Sequence, residues 1–170
     1  MMTRRNIEKI GLFKRIIGVV RMVYISHRGN INGIDSKNEN TKRQIVKILR
    51  KGYDCEIDVW FHKGKFRLGH DKPGRIVDVK FLLKKGLWIH AKNVEALYRL
   101  LKIGARCFMH FLDDFTLTSD GYVWTYPGCE LTQKSICNFL DMNQWGLQKM
   151  DCAGICSDYI ERVKRAVEGT

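Results

Sequence analysis

Short apolar runs of five to seven residues recur along this chain, and most lead into a segment with helical spacing. "MVYIS" (22–26) is followed by a polar loop and then by "KRQIVKILRKG", where Ile45, Ile48 and Leu49 share one helix face. "CEIDVWF" (55–61) is joined through Lys63-Gly64 to "KFRLG", which reads as a β-hairpin. "DVKFLLKKG" reads as a short helix, "LWIHA" (87–91) as a strand, and "NVEALYRLLKIG" as a helix closed by Gly104. "CFMHF" (107–111), "YVWTY" (122–126), "SICNF" (135–139) and "GICSD" (154–158) are further strands, and "YIERVKRAVE" is the last helix. Alternation of this kind predicts an α/β fold with a parallel sheet. The strands either close into a compact, trimmed (β/α) barrel of the TIM type, with a β-hairpin after strand 2, or lie open as a doubly wound sheet. Polar residues at strand ends favour the barrel: His27, Glu56, Asp58, His90, Lys92, His110 and Asp158. In a barrel those ends converge on one mouth.

The 170 residues suit one domain. No run of 18 apolar residues exists to predict a membrane-spanning helix. The formal net charge is +12, of which residues 1–22 supply six Lys or Arg against one acid, leaving the rest at +7. Such a field attracts phosphate, whether in a small diester, a lipid surface or a nucleic acid. Within residues 1–21, Ile7, Ile10, Phe13, Ile16 and Ile17 recur at helical spacing among basic residues, and Lys14 and Arg15 interrupt the apolar centre a signal peptide needs. This segment reads as a basic amphipathic helix, lying on an anionic membrane or closing one end of the domain. Residues 22–170 form the barrel domain. The six cysteines lack CxxC or zinc-finger spacing and sit mostly in apolar runs. They read as buried free thiols in a reducing compartment, so the expected location is cytoplasmic, with peripheral membrane association if residues 1–21 lie on a lipid surface rather than close the domain.

Residues two apart in a strand share a face. Glu56 and Asp58 therefore point one way, and Ile57 and Val59 the other. Neighbouring carboxylates repel unless a cation sits between them, and oxygen donors suit Mg²⁺ or Ca²⁺; a solvated face is the plainer alternative. At the end of the first strand, Gly29 lets a ligand approach the backbone and Arg28 offers a fork for phosphate. His27 beside them and His70 at the end of the hairpin suit a general base and general acid. His90 and Lys92 again share a face, Lys92 to neutralise a phosphoryl oxygen and His90 to join the metal. His62 reads as a hairpin surface residue, and His110 as a barrel-lining residue without an assigned use.

In order along the chain, His27-Arg28-Gly29, Glu56-x-Asp58, "GHD" (69–71), x-x-Lys (90–92), "VWTYP" (123–127) and "GICSDYIE" (154–161) resemble the glycerophosphodiester phosphodiesterase family, from about residue 22 to 165. The more distant sphingomyelinase D and phosphatidylinositol-specific phospholipase C barrels share parts of this layout. The resemblance implies a (β/α) barrel that hydrolyses a phosphodiester with a divalent cation. It makes His27 and His70 the catalytic pair. Arg28 and Lys92 hold the phosphate, with Trp124 beside the substrate, and Glu56, Asp58 and His90 hold the metal. The family has a third carboxylate where this chain has His90, and a neutral imidazole there opens the site to softer Mn²⁺ or Zn²⁺ as well as Mg²⁺ or Ca²⁺.

The expected function is thus metal-dependent hydrolysis of glycerophosphodiesters or related lipid head-group diesters by two histidines, on a small phosphodiester substrate. The alternatives are a non-catalytic barrel that binds a phosphate head group and, suggested by charge alone, a nucleic-acid-binding protein. "FHKGKFR" is the only basic stretch with interleaved aromatics, so no nucleic-acid partner is expected.

Overall fold

A computed structural model describes residues 22–139 and 151–169. The expected N-terminal helix over 1–21 lies outside them. Nine strands form one sheet: β1 (Val23–Ser26), β2 (Asp54–His62), β3 (Lys65–Leu68), β4 (Leu87–Ala91), β5 (Cys107–Phe108), β6 (Phe115–Leu117), β7 (Val123–Thr125), β8 (Ser135–Asn138) and β9 (Gly154–Ser157). Eight of them run in the order β5-β4-β2-β1-β9-β8-β7-β6, with β3 paired to β2 alone. All pairings are parallel except β2–β3 and β6–β7. The path curls into a nearly closed, barrel-like sheet. Its two ends, β5 and β6, share no ladder. The Ser119 N–H donates to Cys107 O (2.8 Å), the Cys107 N–H donates to Ser119 Oγ (3.0 Å), and Thr116 Oγ1 donates to Met109 O (3.0 Å).

Alternation within each strand sorts side chains to the two faces. Ile25, Trp88, Phe108, Trp124, Ile136 and Cys156 form the inner cluster. Among the described residues four helices lie on the outer face. Helices α1 (Lys42–Arg50), α2 (Val79–Leu82) and α3 (Val94–Lys102) lie along the β2–β4 flank, and α4 (Ile160–Glu168) follows β9. Ile45 and Ile48 of α1 are buried in one cluster with Ile57 and Val59 of β2 and with Ala96 and Leu100 of α3. Each buried Ile, Val or Leu here contributes about 1.5–3 kcal/mol by leaving water. Ile160 and Val163 of α4 pack on Tyr24, Cys137 and Ile155. No helix follows β5 or β7, so the regular alternation predicted from sequence holds for only part of the sheet. Three helix starts carry side-chain caps: Thr41 accepts from the Gln44 N–H, Asp78 from the Phe81 N–H and Asn93 from the Ala96 N–H.

The hairpin between β2 and β3 forms as predicted. Lys63 and Gly64 both take positive φ (48° and 73°), the tight-turn geometry that follows the twist of paired strands. The helix over 94–102 ends where Gly104 donates to Leu101 O (3.0 Å). "CFMHF" is a strand for two residues only, because the chain leaves the sheet at Met109 and returns as β6, which the apolar pattern did not reveal. All six cysteines are free, four of them buried and Cys129 and Cys152 partly exposed. Among the described residues no helix is long and apolar enough to cross a membrane.

Candidate active site

Parallel strands deliver their C-terminal ends to one end of the sheet, and the strand-end polar residues meet there. A pocket of about 260 Å³ is lined by His27, Arg28, Glu56, His70, His90, Lys92 and Trp124, together with Phe108, His110, Phe111, Tyr126 and Asn138. Every candidate residue read from the sequence except Asp58 lines it. Asp58 lies just behind, 1% exposed, with its carboxylate against three of the liners. His62 sits on the exposed end of the hairpin, away from the pocket.

Arg28 ties the two carboxylates together. Its φ of 52° is uncommon for a residue with a side chain and marks a position held by its surroundings. The bend turns the Arg28 N–H onto Glu56 Oε2 (3.2 Å), while the side-chain Nε reaches Asp58 Oδ2 (3.1 Å). Asn40 braces the same carboxylate, donating from Nδ2 to Asp58 Oδ2 (2.9 Å) and accepting the Asp58 N–H on Oδ1 (2.9 Å). On the other side, His90 Nδ1 lies 3.1 Å and Lys92 Nζ 3.4 Å from Asp58 Oδ1. These ion-pair contacts leave that buried oxygen without a directed hydrogen bond.

Two carboxylates on one strand face thus acquire opposite characters. Burial works to raise the Asp58 pKa, but His90, the Arg28 guanidinium and Lys92 outweigh it and hold the carboxyl well below the usual range. Glu56, 2% exposed, is pushed up by burial and then by the charge of Asp58.

His27 is oriented from behind. Asp158 Oδ1 receives its Nδ1–H (2.9 Å) and also the Asn30 Nδ2 donor (2.7 Å), which leaves His27 Nε2 3.8 Å from Glu56 Oε2. Burial pulls the imidazole pKa down, yet the Asp158 hydrogen bond and the nearby Glu56 charge raise it above its ordinary value. Asp158 is held low for the complementary reason: burial opposes its charge, and the His27 hydrogen bond outweighs burial. His70 arrives on the hairpin. Gly69 takes a φ of 144°, and a Cβ there would meet Lys72 O at 2.3 Å, so only glycine makes this bend. His70 Nδ1 then bonds Asp71 Oδ1 at 2.6 Å.

The opposite wall is aromatic. His90 stacks on His110 (4.5 Å between centroids) and on Phe108 (5.2 Å), and Phe108 stacks on Trp124 (4.4 Å). The Tyr126 hydroxyl lies 2.8 Å from His110 Nε2. Burial, followed by His90 and Lys92, pushes His110 down to about 4, so it is neutral at pH 7.

Sequence reasoning placed Asp158 and His110 at strand ends without giving them partners, and it missed Asn40, Tyr126 and Asn138. Asp158 carried a usable signal, since it stands two residues past the inward-facing Cys156. Asn40 carried none: it is a loop residue whose partner lies 18 positions away.

No protein-family model, no curated protein and no solved structure matches this chain.

One ligand atom each from Glu56, Asp58 and His90 lie within 4.8 Å of one another, the only such group among the described residues. The donor set fits a divalent cation: two buried carboxylates, one imidazole, and in Asp58 Oδ1 a buried oxygen that lacks a directed donor.

Proposed function

We propose that this chain is a metal-dependent phosphodiester hydrolase on a trimmed TIM-type barrel, similar in its site to the glycerophosphodiester phosphodiesterases and acting on glycerophosphodiesters or related head-group diesters. The observation that carries this reading is one pocket lined by His27, His70, Arg28, Lys92, Glu56 and His90, with Asp58 directly behind completing a carboxylate–carboxylate–imidazole group. Glu56, Asp58 and His90 are the residues that would hold the metal, which when bound supplies positive charge to polarise the phosphoryl group. The ordered motifs from residue 22 to 165 support the same reading.

In this reading Arg28 and Lys92 bind the nonbridging phosphate oxygens in a site sheltered from water, where fixed charge acts most strongly. Asp158 fixes His27 with Nε2 facing the pocket, and its hydrogen bond, together with the Glu56 charge, outweighs burial and favours the protonated imidazole. His27 gives that proton to the leaving alkoxide. His70, its Nδ1 engaged by Asp71, takes the proton of the attacking oxygen. Trp124 and Phe108 form the floor on which the ester rests.

The test is hydrolysis of a generic phosphodiester and of glycerophosphodiesters with Mg²⁺, Ca²⁺, Mn²⁺ or EDTA, beside Glu56→Ala, His27→Ala and His62→Ala. Expected are metal-dependent turnover, its loss in Glu56→Ala, a fall of about 10²–10⁴-fold in His27→Ala and no change in His62→Ala. Folded protein with no turnover under any metal rejects the hydrolase and leaves a phosphate-binding barrel.

A further inference from the structure

Four of the twelve large apolar side chains left exposed among the described residues fall within seven consecutive positions: Phe111, Leu112, Phe115 and Leu117. Leu112 is 99% and Phe111 74% exposed. The stretch begins where the chain leaves β5, at the mouth end of the sheet, and Phe111 itself lines the pocket. It continues down β6, where Phe115 and Leu117 are two apart on the outward face, paired with Thr125 and Val123 of β7. This is the flank where no helix follows β5 or β7. The result is an apolar strip running from the rim of the pocket along the outward face of β6.

A strip of this size left in water marks an interaction site, and its chemistry restricts the partner. The charged side chains within it are Asp113 and Asp114, both exposed. An anionic surface would be repelled here, despite the +12 charge of the whole chain. Continuity with the pocket points to the medium from which the substrate comes. We infer that residues 111–117 seat the pocket mouth on a neutral or zwitterionic lipid surface, with Phe111 and Leu112 entering the apolar layer, so that diesters are taken from aggregated amphiphiles. This rests on the diesterase reading for the substrate, but the surface contact stands apart from turnover. It is also distinct from contact through the basic residues 1–21, which needs anionic lipid and weakens with salt.

The experiment has two arms on the full chain. In the first, wild type and Leu112→Asp are sedimented with phosphatidylcholine vesicles at low and high salt. The wild type should bind at both, and the variant's partition coefficient should fall by about tenfold, the effect of withholding one leucine from an apolar layer. In the second, turnover of a lysophospholipid-type diester is followed through its critical micelle concentration, with a water-soluble diester as reference. Wild-type rate should rise at that concentration, Leu112→Asp should lose the rise, and both should match on the soluble diester. Leu112 touches no part of the catalytic cluster and is fully exposed, so folding is not at risk. Equal vesicle binding by wild type and variant, or wild-type binding only to anionic vesicles at low salt, overturns the inference. Failure to hydrolyse any diester rejects the diesterase reading alone, because the sedimentation arm still decides the surface contact.

Discussion

The pocket has two walls built on opposite physical terms. The wall from β1, β2 and β4 is ionic: Asp58 is held by Arg28, Lys92, His90 and Asn40, and Asp158 holds His27. The facing wall, from β5, β7 and the residues just after them, is a stack of rings, Trp124 on Phe108 and His110 on His90 of β4, topped by Tyr126. The ionic wall is backed by α1, α2 and α3, whereas the aromatic wall has no helix directly after β5 or β7. Buried charges need fixed partners, because each one left alone costs several kcal/mol, and a helix-braced flank can keep partners fixed. Stacked rings carry no net charge that needs a fixed counter-ion, and they attract over centroid separations of about 4.5–7 Å. The difference teaches where charge can be kept and where shape can be kept: the helix-braced side holds the buried charges, and the other side presents an uncharged aromatic surface.

Removing the hub of the ionic wall is the strongest way to break this contrast. Asp58→Ala leaves Arg28 and Lys92 without their shared carboxylate and is expected to lower stability by about 3–5 kcal/mol, read from denaturant unfolding, and to abolish turnover. A loss under 1 kcal/mol would mean the wall is not held by charge. On the aromatic side, Trp124→Ala opens a cavity beside Phe108 and should also cost about 3–5 kcal/mol. Its signature differs: the pH profile of any remaining activity should be unchanged, and a shifted profile would show that the two walls are not separable.

Smaller changes sharpen the comparison. With His27 as the acid, activity falls as pH rises through its raised pKa, so the alkaline limb stands above the ordinary histidine value of about 6.5. Asp158→Asn removes the group that raises it and leaves burial to dominate, so that limb should move to lower pH. An unmoved limb would detach Asp158 from His27. The smallest effect belongs to His110, whose folded pKa lies near 4. Between about pH 6.5 and 4 the unfolded chain takes up a proton that the folded chain refuses, so this residue makes stability fall as pH falls. His110→Phe should flatten that part of the stability curve relative to wild type, and an identical slope would remove the residue from the account.

What the sequence made legible was local. Glu56 and Asp58 share a face because a strand's period is two, and the turn at Lys63-Gly64 brings His70 back toward them; both could be read from adjacent residues. The approach of His27, Arg28, His90 and Lys92 followed from strand ends meeting at one mouth. What stayed hidden depends on distant pairings. Asp158 meets His27 across 131 positions, and the ring stack joins β4, β5 and β7 through packing that no periodicity encodes. β6 was missed because Phe115 and Leu117 face outward and Thr116 inward, the reverse of the pattern expected for a covered strand.

The seam between β5 and β6 bears on how this molecule breathes. Where every other neighbour pair along the path is laced by a ladder, this one depends on Ser119 and Thr116 side chains and a single main-chain bond. Proteins open first through weakly tied units, and among the described residues the segment from Met109 to Leu117 meets β5 across the one seam of the path without a ladder. Its amides should exchange with solvent long before those of β1, β2 and β4. The sheet would then part at this seam first, while β1, β2 and β4, paired along their length, stay in register.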